Sequence, residues 1–215
     1  MVLTFVVLAS GCSQREPLHQ GKPASHWTQA LQDGNPEIRR EAARALAALK
    51  AKDAVPMLVA ALKDKEPKVR ASAAEALWSV GPAAKAGVTD LSTALKDPSA
   101  EVRLNAAGAL GAIGPEAHGA LPGIRDLLKD RDVDVRTTAA QALGNFGPEA
   151  KAATPALTDA LLDRDKNVRV AAAYALAEIG AEARTAVPAL RSAAQDKNGD
   201  VRTAVLYALK KIEGK

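Results

Sequence analysis

An aspartate, five intervening residues and an arginine preceded by a branched aliphatic residue recur six times in this chain. The copies are Asp33/Arg39, Asp64/Arg70, Asp97/Arg103, Asp130/Arg136, Asp163/Arg169 and Asp196/Arg202. The step is 31 residues from Asp33 to Asp64 and 33 at each later step. A fixed period of this size marks a solenoid, in which each unit buries its apolar face only against its neighbours. Function is then expected on an extended surface, not in an enclosed pocket.

Each unit reads as two helices. After the arginine comes an alanine-rich stretch in which Val69, Ala73, Ala76, Leu77 and Val80 share one stripe at helical spacing. The stripe returns as Val102, Ala106, Ala109, Leu110 and Ile113, and as Val168, Ala172, Ala175, Leu176 and Ile179. Alanine at these inner positions lets helices approach closely, near the low end of about 8–10 Å. Gly81, Gly114, Gly147 and Gly180 follow the last apolar residue, where a left-handed C-terminal cap favours glycine, and Pro82, Pro115 and Pro148 then block continuation. Two residues past each aspartate stand the N-cap candidates Asn35, Ser99, Asp132, Asp165 and Asn198; Glu66 breaks the column. The other helix of each unit carries a proline near its start, at Pro56, Pro122, Pro155 and Pro188, with Thr89 in that place in the third unit. Proline is tolerated there if it falls in the first turn. Six helix pairs at such spacing predict an arc about 50–60 Å long.

The composition agrees with stacked helices: 47% of residues are hydrophobic but only 3% aromatic, so the core is built from many small contacts. A net charge of +4 without a continuous basic stripe argues against nucleic-acid binding.

The arrangement resembles HEAT repeats in their short, phycobilisome-lyase-like form. The resemblance runs from Ser25 to Ile212 and rests on proline in the first helix, aspartate at the turn and Val-Arg opening the second. It implies an all-α fold, a right-handed α-solenoid of about six helical hairpins. It also implies that the twelve Asp and Arg residues form a structural ladder, tying the turn of one unit to the second helix of its own or the next unit. Charge-assisted hydrogen bonds would make such a ladder stronger than exposed pairs. A charged stripe for an ionic partner is the competing reading. HEAT arrays serve as scaffolds, adaptors and occasionally enzymes, so the fold alone does not assign a function.

Enzymatic signatures are sparse. His19, His26 and His118 do not share a helix face at metal-ligand spacing, and there is no phosphate loop or nucleophile elbow. The similar deoxyhypusine hydroxylases bind iron through His-Glu pairs just after the repeat arginine. The matching positions here, Arg40-Glu41, Ala71-Ser72, Leu104-Asn105, Thr137-Thr138, Val170-Ala171 and Thr203-Ala204, hold no histidine. No cofactor, metal or small-molecule substrate is expected. A phycobilin-lyase-like or other accessory enzyme subunit, and a purely structural envelope spacer, stand as alternatives to a binding scaffold.

The N-terminus departs from the repeats. Met1 to Leu8 is apolar apart from Thr4, and Leu8-Ala9-Ser10-Gly11-Cys12 resembles a bacterial lipobox. The resemblance implies cleavage before Cys12 and a diacylglycerol on its sulfur. No Lys or Arg precedes the apolar run; a start codon upstream of Met1 would supply one. Residues 1–11 thus read as a signal segment, 12–24 as a flexible tether and 25–215 as the solenoid, with Ser25 as N-cap and Trp27 as a bulky cover for the first unit. The expected location is the cell envelope, lipid-anchored and extracytoplasmic. Ser13, which is not Asp, favours the outer membrane in a Gram-negative cell.

A protein partner is expected on the concave face, which second helices line in such arrays. One column there reads Arg44, Glu75, Gly108, Gln141, Tyr174 and Tyr207; the turn before it contributes Leu104, and the turn after it Trp78, Gly111 and Gly144. Trp78, Leu104, Gln141, Tyr174 and Tyr207 are the candidate contacts, with the three glycines leaving room beside them. In the competing reading the two tyrosines only pack against neighbouring helices.

Overall fold

The computed structural model describes residues 17–214. Among them a two-stranded hairpin, β1 (Leu18–His19) and β2 (Lys22–Pro23), precedes six helix pairs. The pairs are α1 (Ala24–Ala30) with α2 (Pro36–Ala48), α3 (Val55–Ala61) with α4 (Pro67–Val80), and α5 (Val88–Ala94) with α6 (Ala100–Ile113). Then come α7 (Leu121–Asp126) with α8 (Val133–Asn145), α9 (Thr154–Ala160) with α10 (Lys166–Ile179), and α11 (Val187–Ala193) with α12 (Gly199–Glu213). Second helices pack in sequence, α2 on α4, α4 on α6, α6 on α8, α8 on α10 and α10 on α12. The fold is an all-α solenoid.

The apolar stripes account for this order. Val69, Ala73, Ala76 and Leu77, and their equivalents in α6 and α10, are buried, and the largest fully buried side chains include Leu58, Leu91, Ile124, Leu157 and Leu190 of the first helices. Trp27 occupies the same place in α1 and is also buried. Its indole Nε1 donates to the His19 carbonyl at 3.4 Å, and Lys22 Nζ lies 5.0 Å from its ring centroid. The segment read as a tether is therefore ordered from Leu18 onward: Gln20 and Gly21, both at positive φ, turn it back onto the first unit. The N-cap of α1 is Pro23 rather than Ser25.

Two other local expectations change. Gly81, Gly114 and Gly180 have positive φ but ψ near −135°, not the left-handed helical cap. This conformation is open essentially to glycine alone, and it launches the 3₁₀ segments Gly81–Gly87, Gly114–Ala120 and Gly180–Ala186 that precede α5, α7 and α11. The prolines Pro56, Pro122, Pro155 and Pro188 do fall in the first turn of those helices. Among the N-cap candidates, Asn35, Asp132, Asp165 and Asn198 accept amides of the next helix, whereas the Ser99 side chain makes no cap bond.

Candidate functional site

The ladder runs between units. Arg39 Nε and Nη2 donate to the two carboxylate oxygens of Asp64 at 2.6 and 2.9 Å, and the same fork joins Arg70 to Asp97, Arg103 to Asp130, Arg136 to Asp163 and Arg169 to Asp196. The remaining nitrogen of each guanidinium turns back to its own unit, as Arg136 Nη1 does to the Asp130 carbonyl at 2.9 Å. Each carboxylate also accepts the amide two residues on, for example Asp165 N at 2.8 Å from Asp163 Oδ1. The five joined guanidinium–carboxylate pairs are thus engaged inside the stack on both partners. Arginine hydrogen bonds together with the Glu66 amide hold the Asp64 carboxyl below its ordinary range. At Asp97, Asp130 and Asp163, burial pushes the carboxyl up, but the arginine and amide hydrogen bonds outweigh it and the net direction is down. At the ends, Asp33 Oδ1 accepts the Asn35 amide and Arg202 donates to the carbonyls of Asp196 and Lys197. Neither has an ion-pair partner among the described residues.

The column of second-helix positions divides into two halves. In the first half, Trp78 lies across Gly108: a Cβ on Gly108 would stand 2.6 Å from the indole ring. Gly111 is pressed against Ala142, whose Cα would lie 2.8 Å from an added Cβ, and Gly144 similarly faces the Ala175 Cα at 3.1 Å. Gly108 and Gly111 admit a ring and a neighbouring helix and do not leave open space, contrary to the sequence reading, whereas Gly144 also lines a groove beside Tyr174. Leu104 is half-buried against the core, and its neighbour Asn105 is buried with Nδ2 donating to the Ala71 carbonyl at 3.0 Å. Leu104 is therefore largely a packing residue.

In the second half, Tyr174 and Tyr207 are 45% and 37% exposed, with ring centroids 5.7 Å apart and planes at 55°. Adjacent units bring the rings together on one surface, as their columns require. Lys211 Nζ sits 5.6 Å from the Tyr207 centroid. Beside Tyr174 a groove of about 500 Å³ runs between α8 and α10, lined among others by Asp134, Gln141, Asn145, Asn167, Tyr174 and Glu178. Asp134, Asn145, Asn167 and Glu178 were not singled out from sequence; stepping 33 residues from Asp134 to Asn167 and from Asn145 to Glu178 would have found them. Among the described residues no group of three His, Cys, Asp or Glu side chains could hold a metal ion, and no helix is long and apolar enough to cross a membrane. Cys12 lies outside the described residues.

The HEAT repeat family model matches residues 24–91, 88–167 and 154–215. The chain belongs to the HEAT repeat family. Similar solved structures include an engineered protein, 27% identical, aligned over 89% of this chain and 96% of that one with a TM-score of 0.76. A designed armadillo repeat protein in complex with the peptide (KR)4, 20% identical, aligns over 89% of this chain and all of that one with a TM-score of 0.74. No curated protein matches this HEAT repeat chain.

Proposed function

We propose that this HEAT repeat protein is a non-catalytic scaffold that binds a protein partner on the C-terminal half of its concave face, held at the cell envelope by a lipid on Cys12. The observation that carries the binding reading is the exposed Tyr174–Tyr207 pair bordering a groove between second helices. Amphipathic aromatic rings combine large apolar area with a hydroxyl that can hydrogen-bond, which suits them as interface anchors. A neighbour of the same architecture was solved with a peptide, which supports a peptide-like segment as the kind of ligand such a surface takes. The anchor reading rests on the Leu8–Cys12 sequence and its resemblance to a lipobox.

Replacing Tyr174 and Tyr207 together by Ala is expected to weaken a partner by about 2 kcal/mol or more. Asp159→Ala with Arg191→Ala, on exposed positions of first helices, is the control and is expected to leave binding nearly unchanged. Partner recovery by crosslinking in intact cells and affinity purification reads the difference. Recovery that survives the tyrosine pair and fails with the control pair places the interface on the other face. Cys12→Ser, expressed with the natural upstream region, is expected to move the protein from the membrane to the soluble fraction. Persistent membrane association would show that the anchor is not this cysteine.

A further inference from the structure

The groove between α8 and α10 has a chemical character of its own. Along its length it presents a carboxylate, Asp134, in the first turn of α8 and another, Glu178, near the end of α10. No Lys or Arg lines it. Neither carboxylate has an ion-pair partner among the described residues, and Lys166, beside Asn167 in sequence, is turned to Asp200 at 3.1 Å. Three side-chain amides, Asn167 at the level of Asp134, Gln141 midway and Asn145 at the level of Glu178, can both donate to and accept from a peptide backbone. The Tyr174 ring stands beside them. The chain itself already places a lysine, Lys211, over the neighbouring Tyr207 ring, so a cation against this aromatic pair is a geometry the surface adopts with its own side chains.

We infer that this groove takes an extended protein segment carrying two basic side chains, one directed to Asp134 and one to Glu178 across the Tyr174 ring. The inference rests on the binding reading above and names the class of partner for that site. The two acidic ends are separated along the helix axes by eleven residues of rise, from the level of Asp134 to that of Asn145 and its counterpart Glu178, about 16 Å. About five residues of extended chain cover that distance at roughly 3.3 Å per residue. Side chains alternate faces along an extended peptide, so lysines or arginines about four or six positions apart share the groove-facing side and reach both ends, while the amides hold the backbone. Overall charge does not explain such an attraction: the protein carries a net +4, which repels basic peptides in general, so binding of one requires a local acidic site.

The test titrates the full chain at low ionic strength with short fluorescent peptides bearing two lysines about four or about six residues apart, their twins with glutamates in those places, and spermidine as a competitor. A dilysine peptide is expected to bind, its diglutamate twin not, and Asp134→Asn with Glu178→Gln to weaken binding about tenfold while flattening its salt dependence. A conserved melting temperature in that double variant keeps the result separate from misfolding. Equal binding of the dilysine peptides and their twins, or no effect of the carboxylate pair, overturns the basic-segment inference while leaving the tyrosine surface intact. Displacement of the peptide by spermidine at much lower concentration assigns the groove to a free polycation and overturns the protein-segment occupant. Loss of natural-partner recovery in the tyrosine variant but not in the carboxylate variant separates failure of this inference from failure of the binding reading.

Discussion

The junction between α4 and α6 and the junction between α8 and α10 use the same two repeat positions with large and small residues exchanged. In the first, bulky Trp78 on the earlier helix faces Gly108 on the later; in the second, Gly144 is on the earlier helix and bulky Tyr174 on the later. Trp78 folds over the space its glycine leaves and remains 38% exposed. Tyr174 stands beside a groove. Placing one large side chain on the later helix instead of the earlier one accompanies the change from a ring laid over a glycine to a ring beside a groove.

If the halves differ only in these side chains, the ladder that runs through both should be energetically uniform. Arg70→Ala and Arg136→Ala are each expected to cost about 3 kcal/mol, because each leaves a largely buried aspartate without its guanidinium. Arg131→Ala, at an exposed turn position, should cost far less, and a clear difference between Arg70 and Arg136 in thermal unfolding would break the uniformity. The ladder also fixes the acid limb. Asp64, Asp97, Asp130, Asp163 and Asp196 all have folded-state values below the ordinary 3.8. Their contribution is fully present above that value and is lost as pH falls through it toward the lower folded values. Melting temperatures should hardly change from neutrality to about pH 5 on this account and drop steeply below about pH 4.

Gly111→Ala should cost about 2 kcal/mol, since its Cβ would press on the Ala142 backbone and force α6 from α8. Gly144→Ala, with more room against Ala175, should come out near neutral once the helix-propensity gain of about 1 kcal/mol is included. Equal melting curves for the two would remove the difference in closeness. Gly108→Ala should fall between the two. Because the obstacle is a partly exposed ring that can swing outward, stability should fall by less than about 1 kcal/mol. The emission of Trp78, measured in a Trp27→Phe background, should shift to the red. An unchanged spectrum would mean the ring does not rest on that glycine.

The fold was legible in the sequence because burial in a solenoid repeats. Once Val69, Ala73, Ala76 and Leu77 share a stripe, the same offset finds every other core helix. The direction of the ladder was not legible, since Arg39 has an aspartate in its own turn and another in the next unit, and only the packing chooses Asp64. Glycine was the residue read least well. A missing side chain is compatible with open space and with a helix pressed close; at Gly111 the second holds, and at Gly144 both do. The hairpin escaped because Leu18 to Pro23 is too short for periodicity; the one available sign was Gly21 at its turn. Of the groove-lining amides, Gln141 was found through its column, while Asn145 and Asn167 escaped because they lie outside it.

One feature of each ladder aspartate reaches beyond its own bond. The carboxylate that accepts the preceding unit's guanidinium also accepts the amide that shapes its own turn, as Asp163 does from Arg136 and Asp165. Ordering one turn therefore prepares the seat for its neighbour's arginine, and losing one loosens the next. A linear array coupled in this way behaves like a zipper. Asp33 and Arg202 each hold only half of such a lock, so melting should begin at the two terminal units and travel inward, leaving the units around Asp130 as the last to open.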